Sequence, residues 1–147
     1  MLAEIETKYQ KLLETFYDGN KCYHLKSINN FILNFNNLGT FNCKTRVADL
    51  LNKYFDYALK SGISPSESKS IFYEYIKPLG KIYSYNLKFY YYVEPLSILF
   101  YLIGAFILLF VIKSSPLFYI IVTAIGILSY LPFYFKYKSN KVYGYCL

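Results

Sequence analysis

Residues 94–136 read EPLSILFYLIGAFILLFVIKSSPLFYIIVTAIGILSYLPFYFK, and between its two ends this stretch holds one charged residue, Lys113. As helices, the uncharged segments 95–112 and 114–135 would reach about 27 Å and about 33 Å. The hydrocarbon core of a bilayer is about 30 Å thick. Neither segment keeps the polar stripe of a surface helix. The sequence therefore predicts a transmembrane hairpin with spans 95–112 and 116–135, in preference to a buried two-helix core.

Lysines and tyrosines flank the hairpin on both sides, whereas the connecting turn carries only Lys113. The positive-inside rule then predicts that both termini are cytoplasmic, or lie in an equivalent inner compartment, and that the Lys113 turn lies outside. Tyrosines are enriched where lipid meets water. The predicted membrane interface consists of Lys81, Lys88, Tyr90, Tyr91, Tyr92, Tyr134, Lys136 and Lys138.

The predicted spans contain small and weakly polar residues but no ionisable acid, lysine, arginine or histidine. This disfavours a proton relay or an ion carrier. Small residues let helices approach closely, and hydroxyl-bearing residues line some pores. The residues predicted for helix packing are Gly104, Ala105, Ala124 and Gly126. The residues that could line a pore in an oligomer are Thr123, Ser129, Tyr130 and Tyr101, and packing is favoured over pore lining.

The first eighty residues show apolar residues every three or four positions, in runs that end at Gly39 and Gly62. Ser64-Pro65-Ser66-Glu67 has the pattern of a capping box with proline at the first helical position. The predicted fold is all-α, a small N-terminal helical bundle followed by the transmembrane hairpin. The predicted ranges are a soluble helical domain at 1–80, a juxtamembrane aromatic and basic helix at 81–94, the hairpin at 95–135 and a short cytoplasmic tail at 136–147.

The net charge of +7 is unevenly distributed. Residues 1–80 carry ten basic and eight acidic side chains, whereas residues 81–147 carry six basic and one acidic side chain. The excess thus lies beside the predicted hairpin, where it favours anionic headgroups. We therefore expect no nucleic-acid partner.

Residues able to carry chemistry are few. His24 is the one histidine, and Cys22, Cys43 and Cys146 lack metal-binding or redox spacing. Phosphate-binding glycine motifs and nucleophile motifs are absent from the sequence. Arg46 is expected to pair with Asp49 on the same helix. The sequence predicts no catalytic residue, no metal site and no cofactor.

The exposed aromatic residues of the first eighty positions need a partner surface. The predicted function is a non-enzymatic integral membrane protein whose cytoplasmic helical domain makes it a subunit or anchor of a membrane complex. The alternative is a homo-oligomeric pore-forming or membrane-disrupting effector gated by that domain. The predicted partners are the lipid bilayer and either another protein or further copies of the chain.

Overall fold

The computed structural model describes residues 1–16, 21–92, 103, 124, 131 and 134–145. The chain divides into two compact units. One, here called the bundle unit, comprises Met1–Tyr92 and Asn140–Leu147, and the other comprises Val93–Ser139. In the second unit, the described residues 103, 124, 131 and 134–138 are helical.

Within its described residues the bundle unit contains five α-helices: α1 (Leu2–Thr15), α2 (Leu25–Leu33), α3 (Phe41–Ser61), α4 (Ser68–Ile71) and α5 (Lys77–Leu87). Short 3₁₀ turns occupy Lys21–Tyr23 and Phe35–Asn37, and a π-helical turn at Phe72–Ile76 joins α4 to α5. Two short strands, β1 (Tyr90–Tyr91) and β2 (Val142–Tyr143), pair in parallel. The predicted all-α character of this part is confirmed, with the small sheet as an addition.

α3 is the longest of these helices, and its ends follow from local sequence. The Thr40 side chain accepts a hydrogen bond from the Cys43 amide at 3.3 Å, which caps the first turn. Gly62 ends the helix with a φ of 68°, a conformation that glycine adopts without steric cost. The side chains of Ile5 and Leu12 from α1 are fully buried in the core that α3 shares.

Tyrosine hydroxyls bond to backbone groups inside this core. Tyr83 donates to the carbonyl of Phe31 at 2.7 Å, and Tyr54 donates to the carbonyl of Tyr23. The Tyr23 hydroxyl in turn accepts from the Ile63 amide at 3.0 Å. Because these hydroxyls have partners, a bundle rich in tyrosine buries large rings without leaving polar atoms unsatisfied.

Residues 140–145, here called the return segment, pack against a polar face of α2. The Asn30 amide group donates to the carbonyl of Val142 at 2.8 Å. The Ser27 hydroxyl lies 3.1 Å from the Gly144 amide nitrogen and 3.2 Å from the Gly144 carbonyl oxygen. All four residues are buried. The asparagine-rich sequence of α2 thus holds the backbone of a distant segment, because asparagine and serine side chains bond readily to backbone groups.

The strand pair fixes the same segment on its other side. Tyr90 lies opposite Val142, and Tyr91 lies opposite Tyr143. The Tyr92 amide donates to the carbonyl of Tyr143 at 2.6 Å. The chain therefore leaves the bundle unit after Tyr92 and returns to it at Asn140, beside the point of departure.

The helix expected to run through residues 81–94 ends earlier, at Leu87. Lys88 adopts a left-handed conformation with a φ of 58°, which turns the chain. Phe89 then enters the core, with its ring centroid 5.0 Å from that of Tyr83 and 5.8 Å from that of Phe31. Burial of this one aromatic ring outweighs the continuation of the helical pattern.

The predicted membrane spans, with the Lys113 turn, lie outside the described residues except for 103, 124, 131, 134 and 135. Across the described part of the chain, no helix combines the length and the apolar character that crossing a bilayer requires. α3 has 21 residues, but it carries charges along its length and buries one face. This finding corrects the predictions of an integral membrane location with cytoplasmic termini, of a membrane-complex subunit and of a pore-forming effector.

Gly80 provides a direct test of how the return segment docks. A Cβ atom at this position would lie 2.1 Å from the Tyr143 ring. Replacement of a glycine by alanine inside a helix normally raises the free energy of unfolding by about 0.5–1 kcal/mol. Here we expect Gly80→Ala to destabilise by about 1–3 kcal/mol, since the ring must move. Thermal and urea unfolding of the full chain measure the change.

Gly39→Ala is the matched control, because nothing lies within 4 Å of a Cβ atom at Gly39. We expect its free energy of unfolding to stay within about 0.5 kcal/mol of the parent value. A Gly80→Ala protein as stable as the parent, or more stable, would contradict the observed docking of Tyr143.

Candidate functional site

A surface groove of about 880 Å³ lies between the start of α3 and the outer face of the π-helical turn and α5. This groove is the candidate functional site. Two tyrosines in it are strongly exposed, Tyr73 at 53% and Tyr85 at 85% of their surface. The residues that line the groove are Asn42, Cys43, Arg46, Tyr73, Lys77, Pro78, Lys81, Ile82, Tyr85 and Asn86.

The groove is positively charged. Arg46, Lys77 and Lys81 line it, and its lining contains no carboxylate. Among the described residues the ion pairs all involve Lys8, which lies 2.7 Å from Asp56 and 3.8 Å from Glu4. The predicted pair between Arg46 and Asp49 is therefore not formed.

One cation of the groove rests on an aromatic ring. The Lys77 ammonium lies 4.5 Å from the centroid of the Tyr73 ring, within the range of a cation–π contact. Tyr73 belongs to the π-helical turn, which widens the helix by one residue before α5 begins. Such turns are frequent at functional sites. Tyr73 and Lys77 thereby form an aromatic and cationic wall on one side of the groove.

The opposite side of the π-helical turn faces a buried cluster around His24. Phe72 places its ring 5.4 Å from His24 and 5.6 Å from Tyr145 of the return segment. The Nε2 atom of His24 lies 3.1 Å from the Ser68 carbonyl oxygen and 3.3 Å from its hydroxyl. We call His24, Ser68, Phe72 and Tyr145 the histidine cluster.

His24 is 1% exposed, and its backbone has a φ of 49°. Its Nδ1 atom has no hydrogen-bond partner among the described residues. Burial lowers the pKa of His24, and the contact with the Ser68 backbone partly opposes this change. His24 is thus a neutral, packed side chain near neutral pH rather than an accessible acid or base.

The part of the chain that the structure describes shows neither a metal-binding group nor a disulfide. No group of three His, Cys, Asp or Glu residues there is placed to hold a metal ion. Cys22 and Cys43 are free thiols, and Cys43 accepts a hydrogen bond from the Asn86 side chain at 3.6 Å. Cys146 lies outside the described residues.

The residues predicted to form a membrane interface fall in both units. Lys81 lines the groove, Lys88 ends α5, Tyr90 and Tyr91 form β1, and Tyr92 bonds to the return segment. These five belong to the bundle unit. The other three belong to the second unit, in a helical stretch with Tyr134 and Lys138 exposed and Lys136 half-buried.

The residues predicted to pack helices or line a pore are mostly outside the described part. Ala124 is the exception, and it is helical and exposed. The remainder, which the structure does not describe, are Tyr101, Gly104, Ala105, Thr123, Gly126, Ser129 and Tyr130.

Sequence reasoning missed the groove because its two walls lie about thirty residues apart in the chain. One signal was available. Tyr73, Lys77, Lys81 and Tyr85 recur every four residues, a spacing that places side chains on one helical face. Arg46 comes close to these residues only because α3 packs against α5. No local sequence pattern predicts that packing.

Comparisons with family models, with curated proteins and with solved structures find no match to this chain. The chain is therefore characterised by its own geometry: a helical bundle unit, completed by a returning strand, with a basic and aromatic groove on its surface.

The histidine cluster predicts a specific dependence of stability on pH. Because the pKa of His24 is lower in the folded protein than its usual value of about 6.5, the unfolded chain binds a proton first as the pH falls. The contribution of His24 to the free energy of unfolding is therefore fully present above about pH 6.5 and declines as the pH falls below that value. Each unit of pKa lowering corresponds to about 1.4 kcal/mol.

His24→Asn isolates this contribution, because His24 is the only histidine in the chain and asparagine tolerates the left-handed backbone. Chemical unfolding at pH 7.5 and pH 5.5 gives the two free energies for each protein. We expect the parent to lose more stability than the variant on acidification. Equal losses would show that His24 does not titrate with unfolding.

Proposed function

We propose that the bundle unit is a non-enzymatic interaction module that binds a partner protein through the groove between α3 and α5. The observation that carries the proposal is the pair of exposed tyrosines, Tyr73 and Tyr85, in a groove of about 880 Å³. Tyrosine is enriched in protein interfaces because it offers a large rigid surface with a polar tip.

Burial elsewhere in the bundle unit supports this assignment. Other tyrosines of the unit, Tyr54 and Tyr83 among them, are fully buried and hydrogen-bonded. The bundle unit thus buries large aromatic rings that fall within its core. Tyr73 and Tyr85 remain outside that core, beside half-buried Ile82 and Pro78. Exposed aromatic surface next to apolar side chains is typical of an interaction site.

The arrangement favours binding over catalysis. The groove is lined by cations, amides, phenols and the Cys43 thiol, but His24 is buried in the histidine cluster and does not line it. General acid–base catalysis needs a group with a pKa near the working pH within reach of the substrate. The groove offers lysines and an arginine, whose ordinary role is to bind anions.

Site-specific crosslinking tests the proposal. A photoreactive phenylalanine analogue in place of Tyr85, in the full chain expressed in its own cells, should give a discrete protein adduct after irradiation. We expect this because Tyr85 is 85% exposed at the edge of the groove, where a bound partner would cover it.

The matched control places the same analogue at Gln10, an exposed position on α1 that does not line the groove. It should give no adduct of the same mass. Equal adducts from both positions, or none from Tyr85, would contradict a partner site in the groove.

A further inference from the structure

We propose that the occupant of the groove is an acidic segment of another protein, whose carboxylates bind Arg46, Lys77 and Lys81. This inference rests on the proposed function and specifies the chemistry of the partner. Three cations line the groove with no carboxylate among the lining residues. A ligand of opposite charge is the complement that such a surface selects.

These charges are not neutralised within the described residues. Lys8 is paired with Asp56 and Glu4, whereas Arg46, Lys77 and Lys81 have no carboxylate within 4 Å. Lys77 and Lys81 lie one helical turn apart on α5, where like charges repel each other. An anion bound between the two lysines reduces this repulsion. The repulsion between the lysines therefore favours the ligand-bound state.

The tyrosines set the length of the segment. Tyr73, Lys77, Lys81 and Tyr85 follow one another at four-residue intervals, with an aromatic residue at each end and the lysines between them. Twelve helical residues separate the tyrosines by about 18 Å. A ligand that contacts both rings therefore needs about five or six extended residues, at about 3.3 Å each, or about three helical turns.

The same spacing of tyrosines and lysines predicts the order of charged and apolar side chains along the ligand. Carboxylates belong at its centre, opposite the two lysines, and apolar or aromatic side chains belong near its ends, opposite the tyrosines. The contact between Lys77 and the Tyr73 ring holds the ammonium in place at 4.5 Å, so its orientation is set before the ligand arrives.

A protein segment fits this groove better than a nucleic acid does. Binding to a phosphate backbone favours a stripe of positive charge that follows the strand over many residues. Here the groove lining supplies three cations, Arg46, Lys77 and Lys81, and the surface of α1 carries Glu6 and Glu14. The groove accordingly matches a short ligand with few charges.

The experiment combines the crosslinker at Tyr85 with charge removal. A triple variant of the full chain carries the substitutions Arg46→Gln, Lys77→Gln and Lys81→Gln, and the yield of the crosslinked adduct is measured in cells. An exposed charge contact contributes about 1.4- to fivefold in affinity. We therefore expect the triple variant to lose the adduct by about threefold or more, and Lys77→Arg with Lys81→Arg to retain it.

Lys11→Gln is the matched control, since Lys11 is an exposed lysine of α1 outside the groove, and its adduct yield should equal that of the parent. Thermal unfolding of each variant shows that the fold is kept. Mass spectrometry of the crosslinked peptide should identify a segment with net negative charge. Adduct formation that declines as salt rises would add support.

The outcomes separate this inference from the proposed function. An adduct that survives in the triple variant, or a crosslinked segment without acidic residues, overturns the acidic partner but leaves the groove as a binding site. No adduct from Tyr85 in the parent overturns both. An adduct removed by nuclease, or one of twice the mass of this chain, overturns the inference in favour of nucleic acid or self-association.

Discussion

The bundle unit depends on the attachment of residues 140–145 to the polar face of α2. Asn30 and Ser27 bond to the backbone of Val142 and Gly144, so they hold the segment regardless of its side chains. Tyr143 adds sequence specificity, because its ring occupies the space that only a glycine at position 80 leaves open. Without this segment, Asn30 and Ser27 would exchange these hydrogen bonds for bonds to water, and the Tyr143 ring would lose its burial.

The histidine cluster and the groove are linked by one short element. The π-helical turn presents Phe72 to His24 and Tyr145 on one side, and its neighbour Tyr73 forms the wall of the groove on the other. α5 repeats this arrangement, with Gly80 against Tyr143 and Lys81 in the groove. The π-helical turn and α5 therefore contact the return segment on one side and position groove residues on the other.

The helical character of the first eighty residues was predictable because apolar spacing is a local signal. Gly62 ends α3 as expected, whereas α2 ends at Leu33, well before Gly39. The Ser64–Glu67 pattern was only partly correct: the Glu67 carboxylate accepts from the Ser64 amide at 3.1 Å, but residues 65–67 form a turn and α4 begins at Ser68. The role of the asparagines in α2 was not predictable. The partner of Asn30, the Val142 carbonyl, lies 112 positions away, and low helix propensity was the only local sign. The groove likewise was not predictable, because it depends on the packing of helices that are distant in the sequence. The membrane prediction rested on residues that lie mostly outside the described structure.

Hydrogen–deuterium exchange of the purified full chain tests the attachment of the return segment most directly. The amides of Tyr90, Tyr92 and Gly144 donate to Lys141, Tyr143 and Ser27. We expect these three amides, followed in peptides that cover residues 88–92 and 141–145, to exchange as slowly as amides from the buried part of α3. Full exchange of residues 141–145 within seconds, while α3 stays protected, would contradict the account.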